Sequence, residues 1–534
     1  MRITFYDGCD RIGGNKFLLE ADGTRLLLDF GTSFAGEKLF FDEFLTARAT
    51  HGIGDLLELG LLPPLKGVYR DDLEIPGKGW WDRARSRKGF REDVRVDALL
   101  LTHGHVDHTG YASFLSGSVP IYSTSTTATI VKAMQDVAPS GMGREVCYLN
   151  PRELKAGLLA SSNAKKVPSE QRQFAFMDRG PATEEFLEFW GQTGSTRGMN
   201  PKPPAGAGDS SNGAVRIGSL IVRHWPVDHS IPGACAFGIL TGDGWVVYTG
   251  DLRLHGRSAG ATRRFIEEAA ALQPLALIIE GTHPSTREPV SEDEVHANVL
   301  DAVRRSGGLI IADFGPRNVE RLLAFLQVAT ECGRRLVVSA KDAYLLRALS
   351  LTGEDGVPDP YTDERISVYV ETKSLKAAWE KRLLECYATS PGRLVDCGTV
   401  SRAPSEFILC FSYYDLNELL DIQPRGGTYI YSSSEAFNEE MHMDMDRLRN
   451  WLAHFDIDLV GDPGDREGVG RERGFHASGH IHGQGIVELV ERMKPRVLVP
   501  VHTETPGFFA EHFSGRYRLV VPGMGDTVEF GGTP

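Results

Sequence analysis

Between residues 309 and 454, short apolar runs alternate with amphipathic stretches, and this rhythm leaves few folds open. The runs at 309–313, 335–339, 366–370, 407–411 and 428–431 read as strands. Residues 319–330 and 443–454 carry apolar side chains at helical spacing. Strand–helix alternation of this kind predicts a parallel, doubly wound sheet. On either side the rhythm is different. Before 283, strand-like runs at 2–6, 16–20 and 25–29 follow one another, the last two joined by an Asp22-Gly23 turn. Runs at 97–102, 220–225, 236–240 and 245–249 continue the series. After about 470 come Gly- and His-rich turns, one helix at 486–493, and strands at 497–501 and 518–521. The pattern predicts an α/β unit, 283–470, inserted into a second α/β domain built from 1–282 and 471–534. Two stretches, 36–93 and 150–215, interrupt that second domain. Residues 200–214, rich in Pro, Gly and Ser, read as a mobile loop.

With 534 residues, 41% hydrophobic and 24% charged, the chain has apolar material for more than one core. No apolar run approaches the roughly 20 residues a membrane helix needs. The first residues lack a basic segment followed by an apolar one, so a cytoplasmic location without membrane contact is the expectation. A net charge of −14 excludes a generally positive coat but leaves room for a local basic groove. Seven scattered Cys without a CxxC pair exclude a zinc ribbon, a redox motif and a disulfide framework.

The chemistry concentrates in His103-Gly104-His105-Val106-Asp107-His108, directly after the apolar run 98–101. Alternate residues of an extended segment bring His103 and His105 together, and the turn presents Asp107 and His108 nearby. Two ligand groups suit two adjacent cations, and imidazoles with a carboxylate suit zinc, or manganese where oxygen dominates. Further candidates stand near strand ends: Asp29 in LLLDFG, His229 in HWPVDHSIPGA, Asp251 in YTGD and His502 in VPVHTE. Taken singly, each has a bland reading as a turn former or a structural histidine. Together they fit the rule that sites on α/β sheets gather at strand ends.

This set resembles the metallo-β-lactamase superfamily, with Asp29, His103/His105/Asp107/His108, His229 and Asp251 matching its successive motifs. The order Glu280, doubly wound insertion, HASGHIHGQG and PVHTE resembles the β-CASP subfamily, most of all its RNase J-like ribonucleases. Glu280, His480 and His502 then match motifs A, B and C. The resemblance implies an αββα sandwich carrying an inserted β-CASP domain. Three departures stand out. Glu280-Gly281-Thr282 replaces the usual Asp-Ser-Thr. The chain ends about 30 residues after His502, so the additional C-terminal domain of many such proteins is expected to be missing. The stretches 36–93 and 150–215 lie outside the resemblance and are expected at the active-site mouth or at a subunit contact, such as that of a homodimer.

The expected chemistry is hydrolysis of RNA phosphodiesters by a hydroxide bridging two divalent ions, zinc with manganese or magnesium as alternatives. His103, His105 and His229 take one ion, Asp107, His108 and His502 the other, and Asp251 bridges them. His480 addresses the phosphate or the leaving oxygen, while Asp29 and Glu280 orient imidazoles. Ser432, Ser433 and Ser434 are candidates for holding a phosphate, and the resemblance adds His476 and Ser478. Arg253, Arg257, Arg317 and Arg321 are candidates for a local basic patch along the RNA. The competing readings are a DNA nuclease of the subfamily, whose motif C position is typically not His, a small-molecule metallo-hydrolase, and a non-catalytic scaffold subunit.

Overall fold

The computed structural model describes residues 1–531 apart from 43, 179, 181–182, 207–213, 285–287, 355, 434–438 and 465–469. Two sheets lie face to face. The first has eight strands in the order Ala205–Gly206, Phe174–Phe176, Ile121–Ser123, Ala98–Leu100, Thr24–Phe30, Lys16–Ala21, Arg2–Asp7 and Asp526–Glu529. The second has seven: Ala214–Ile217, Leu220–Pro226, Cys235–Thr241, Gly244–Tyr248, Ala276–Glu280, Val497–Val501 and Arg518–Leu519. Side chains alternate across each strand. Leu26 and Leu28 therefore enter the shared core with Phe237, Ile239 and Ile278, while Leu27 points to the opposite face. On the second sheet Leu277 and Ile279 likewise face outward, under the helices Ala259–Ala271 and Gly483–Met493. This is the αββα sandwich of the metallo-β-lactamase fold.

The third sheet is all parallel, in the order Leu394–Val395, Ile366–Tyr369, Arg335–Val338, Phe407–Cys410, Leu309–Asp313, Gly427–Tyr431 and Ile457–Val460. Its strands are apolar on both faces because helices cover both. Ile310 and Leu336 pack under Val319–Glu331 and Ala340–Ser350, and Ile311 and Leu409 pack on the other side with Leu448 and Leu452. The chain then returns to the sandwich through Val497–Val501, beside Ala276–Glu280. The chain thus folds as an αββα sandwich with an inserted, doubly wound β-CASP sheet.

The two interrupting stretches are not only mouth or contact elements, as the sequence suggested. Ile53, Leu56, Leu57, Leu65 and Tyr69 of the first join Phe174, Phe176 and Trp190 of the second over the outer face of the eight-stranded sheet. Phe174–Phe176 pairs in parallel with Ile121–Ser123 and so extends that sheet. The apolar side chains that look unplaced in the sequence are what covers Leu18, Leu27 and Leu99. The expected loop 200–214 contains Ala205–Gly206, paired with Phe174–Phe176; its residues 207–213 lie outside the described residues. Among the described residues no helix is long and apolar enough to cross a membrane.

Candidate metal centre

The site sits where strands of both sandwich sheets end. Thr24–Phe30 delivers Asp29, and Val497–Val501 delivers His502, each in a left-handed backbone conformation with φ of 52°. Such a backbone costs on the order of 1–3 kcal/mol and persists only where its surroundings hold it. The turn after Ala98–Leu100 supplies His103, His105, Asp107 and His108. Gly31 lets the first-strand loop press against that turn, since a Cβ there would lie 1.6 Å from the Asp107 carbonyl oxygen.

One donor group is all imidazole. His103 Nε2 and His229 Nε2 each lie 3.1 Å from His105 Nδ1. That spacing suits ligands on one ion at about 2.0–2.1 Å each. His229 Nδ1 donates to the Gly479 carbonyl at 2.6 Å, which leaves Nε2 unprotonated and facing its neighbours. Burial drives His103 and His229 well below the ordinary histidine range, and His105 to about 4, so all three rings are neutral at pH 7. Metal ligation needs neutral rings.

The second group is Asp107, His108, Asp251 and His502. His108 Nε2 faces Asp251 Oδ2 at 3.2 Å, and His502 Nδ1 faces Asp251 Oδ1 at 3.5 Å. His108 Nε2, His502 Nδ1 and Asp251 Oδ1 are buried without a hydrogen-bond partner. Three buried, orphaned donor atoms aimed at one another are what a bound cation satisfies. Burial opposes the His108 imidazolium, yet Asp251, Asp107 and Asp29 hold the ring protonated well above its usual range. The site demands positive charge, and the donors fit divalent cations.

Asp29 is no direct donor to either group. Its carboxylate accepts from the Thr102 N–H at 2.9 Å, Thr102 Oγ1 at 2.8 Å, Tyr248 OH at 2.7 Å and His108 Nδ1 at 2.8 Å. It fixes the His108 ring with Nε2 inward. Glu280 plays the matching part for His480. Its Oε1 accepts from the Leu252 N–H at 2.7 Å, and its Oε2 faces His480 Nδ1 at 2.9 Å. Burial opposes the charged ring, but Glu280, then Asp251 and Asp107, lift His480 to about 9. Thr102, Tyr248 and the Gly13 N–H, which donates to His502 Nε2 at 3.2 Å, escaped the sequence reading. The one signal for the last was the Gly13-Gly14 pair.

Beyond His480 opens a cavity of about 300 Å³ lined by Ser433, His476, Ser478, His480 and also His283. Ser434 lies outside the described residues. Ser432 is not free to hold a phosphate: it is buried, and its hydroxyl is bound to Arg321 and to the Phe475 carbonyl. Arg317 reaches across from the inserted sheet to the Gly104 carbonyl at 3.4 Å, its Nε without a partner. Arg253 and Arg321 do not form a basic patch. Both are fully buried against acids, Arg253 on Asp228, Glu292 and Glu320 and Arg321 on Glu292. Arg257 pairs at the surface with Glu320. Carboxylate partners of this kind offset the cost of burying a guanidinium.

The fold and its donor set define a metal-dependent hydrolase of the metallo-β-lactamase class carrying a β-CASP insertion. Within that class the chain is RNase J-like. A family model described as a Zn-dependent metallo-hydrolase RNA specificity domain matches residues 472–518. The chain is 24% identical over 515 residues to Ribonuclease J of Mycolicibacterium smegmatis, covering 94% of this chain and 68% of that protein. It is 23% identical over 467 residues to Ribonuclease J of Corynebacterium glutamicum, covering 84% and 50%. The chain thus spans between half and about two thirds of the length of these relatives. A crystal structure of a protein of unknown function from Enterococcus faecalis V583 has the same fold, with a TM-score of 0.63 at 22% identity over 99% of both chains.

Proposed function

We propose that the chain is a ribonuclease that hydrolyses RNA phosphodiester bonds with two divalent ions, zinc or manganese, and that it works in the cytoplasm. The observation that carries this reading is the paired donor groups opening, past His480, into a cavity lined by Ser433, His476 and Ser478. His103, His105 and His229 would hold one ion, and Asp107, His108 and His502 the other, with Asp251 between them. Bound there, the ions supply an activated water and neutralise charge developing on the phosphoryl oxygens.

The chain's own groups do the rest. Asp29 and the Gly479 carbonyl set the ring orientations of His108 and His229. His480, protonated at neutral pH, donates a hydrogen bond to the scissile phosphate or a proton to the leaving oxygen, and Glu280 holds it in place. Arg317 and the cavity hydroxyls hold neighbouring phosphates. The 1:1 mixture of 5′-labelled single-stranded RNA and matched DNA tests this, with manganese or with chelator. Metal-dependent loss of RNA well ahead of DNA supports the reading. Cleavage of DNA alone, or of neither strand, contradicts it.

A further inference from the structure

Arg253 stands two residues after Asp251 and is fully buried, yet none of the roles above uses it. One guanidinium meets four segments. Its Nε donates to Asp228 Oδ1 at 3.2 Å, next to His229. Its Nη1 donates to Glu292 Oε1 at 3.1 Å and to the Ser478 carbonyl at 3.2 Å. Its Nη2 binds Glu320. Glu292 and Glu320 belong to helices Glu292–Arg305 and Val319–Glu331, which pack on the inserted sheet. The Ser478 contact matters most, because the 478–480 turn carries His480. The His480 N–H donates to Ser478 Oγ at 3.2 Å, His255 faces the same Ser478 carbonyl at 2.9 Å, and His229 takes the Gly479 carbonyl. A side chain at Gly479 would come within 2.6 Å of Ser230 Oγ, so the turn is pressed directly onto the His229 loop.

Resting on the phosphodiesterase reading above, we propose that Arg253 is a positioning residue for hydrolysis, which locks the His480 turn and the inserted-sheet helices against the metal loops. Asp228, Glu292 and Glu320 present three carboxylates whose directions fit a planar fork. An ammonium keeps the charge but cannot reach all four segments at once. Arg253 has no donor atom for an ion, so Arg253→Lys removes no member of either donor group. It acts on the reaction through where His480 stands.

The test is a double-variant cycle of Arg253→Lys and His480→Ala, with metal content and thermal midpoint measured for every member. Rates are taken on 5′-labelled single-stranded RNA and, in parallel, on bis(p-nitrophenyl) phosphate. Arg253→Lys should keep the metal content and lose at least about tenfold in kcat in the parent, but less than about twofold in the His480→Ala background. Equal losses in both backgrounds, no loss in the parent, or a loss that follows the metal content would overturn the proposal. Should Arg253→Lys fold poorly, Glu320→Gln, which weakens the ties of Arg253 and of the surface residue Arg257 to one helix, is put through the same cycle and read by the same criteria. A parent active on bis(p-nitrophenyl) phosphate but not on RNA contradicts the ribonuclease reading alone, and the cycle is then decided on the smaller ester.

Discussion

Glu280 and His480 meet at 2.9 Å although 200 residues separate them in the chain. The pair decides which charge faces the cavity. With the carboxylate in place, the ring holds its proton up to about 9 despite its burial. Replacing Glu280 by Gln keeps a hydrogen-bonding side chain of the same size and removes the charge. The His480 pKa should then fall below 9 toward the ordinary histidine range, as followed by NMR titration of the metal-free protein. A value still near 9 in Glu280→Gln would show that Glu280 is not the partner that matters.

His480→Ala should keep the fold and the metal content while losing about 10²–10⁴ in rate, the usual worth of a positioned proton donor. Metal analysis and single-turnover kinetics on one preparation check both halves. Full activity, or a metal content that falls with the rate, contradicts the role assigned to this ring.

His105→Ala removes a direct donor and should lower the number of ions bound per chain. Asp29→Asn should act differently. Every donor atom stays, but His108 loses the carboxylate that orients it, a change typically worth about 10–100-fold in metal affinity. Competition with a chromophoric chelator separates the two outcomes. Equal stoichiometry in parent and His105→Ala would argue against the imidazole group as an ion site.

Much of this centre was legible in the sequence because HGHVDH packs four donor-type side chains into six residues after an apolar strand. Asp29, His229, Asp251 and His502 added themselves as strand-end residues, and the structure gathers them. What stayed illegible depends on distant partners. Arg253 and Arg321 read as surface cations, since nothing local says that Glu292, at the start of another helix, lies between them. Ser432 looked free for the same reason. The coverage of the eight-stranded sheet by residues 53–84 was hidden because their apolar side chains follow no long helical or strand period, the α-helices there spanning only Gly54–Glu58 and Trp80–Ala84.

The two inner arginines of the insertion should separate by phenotype. Arg321→Ala leaves the buried Glu292 short of a partner and should cost stability, about 3–5 kcal/mol by analogy with broken buried pairs, as seen in urea melts. Arg317→Ala should spare stability, weaken RNA binding and lower the slope of log affinity against log salt by about one. An unchanged slope in Arg317→Ala would place the RNA path elsewhere.

Burial raises the Asp313 carboxyl to about 7, with Tyr429 OH donating to it at 2.5 Å and partly offsetting the cost. The ordinary value is 3.8. Between these limits the unfolded chain is ionised while the folded one keeps its proton, so folding loses stability as pH rises through that window. Asp313→Asn should remove this component, about 1.4 kcal/mol for each pH unit across which the two states differ. Urea midpoints of parent and variant from pH 4.5 to 7.5 should diverge steadily; parallel curves would contradict the assignment.

On the proposed reading, the two donor groups hold ions and those ions run phosphodiester hydrolysis. The direct measurement is to strip the protein with chelator, confirm its fold by circular dichroism, and titrate manganese back while following cleavage of 5′-labelled RNA. The expected result is a folded, inactive protein whose rate recovers as up to two ions bind per chain. Cleavage that persists in the folded, metal-free protein would contradict it.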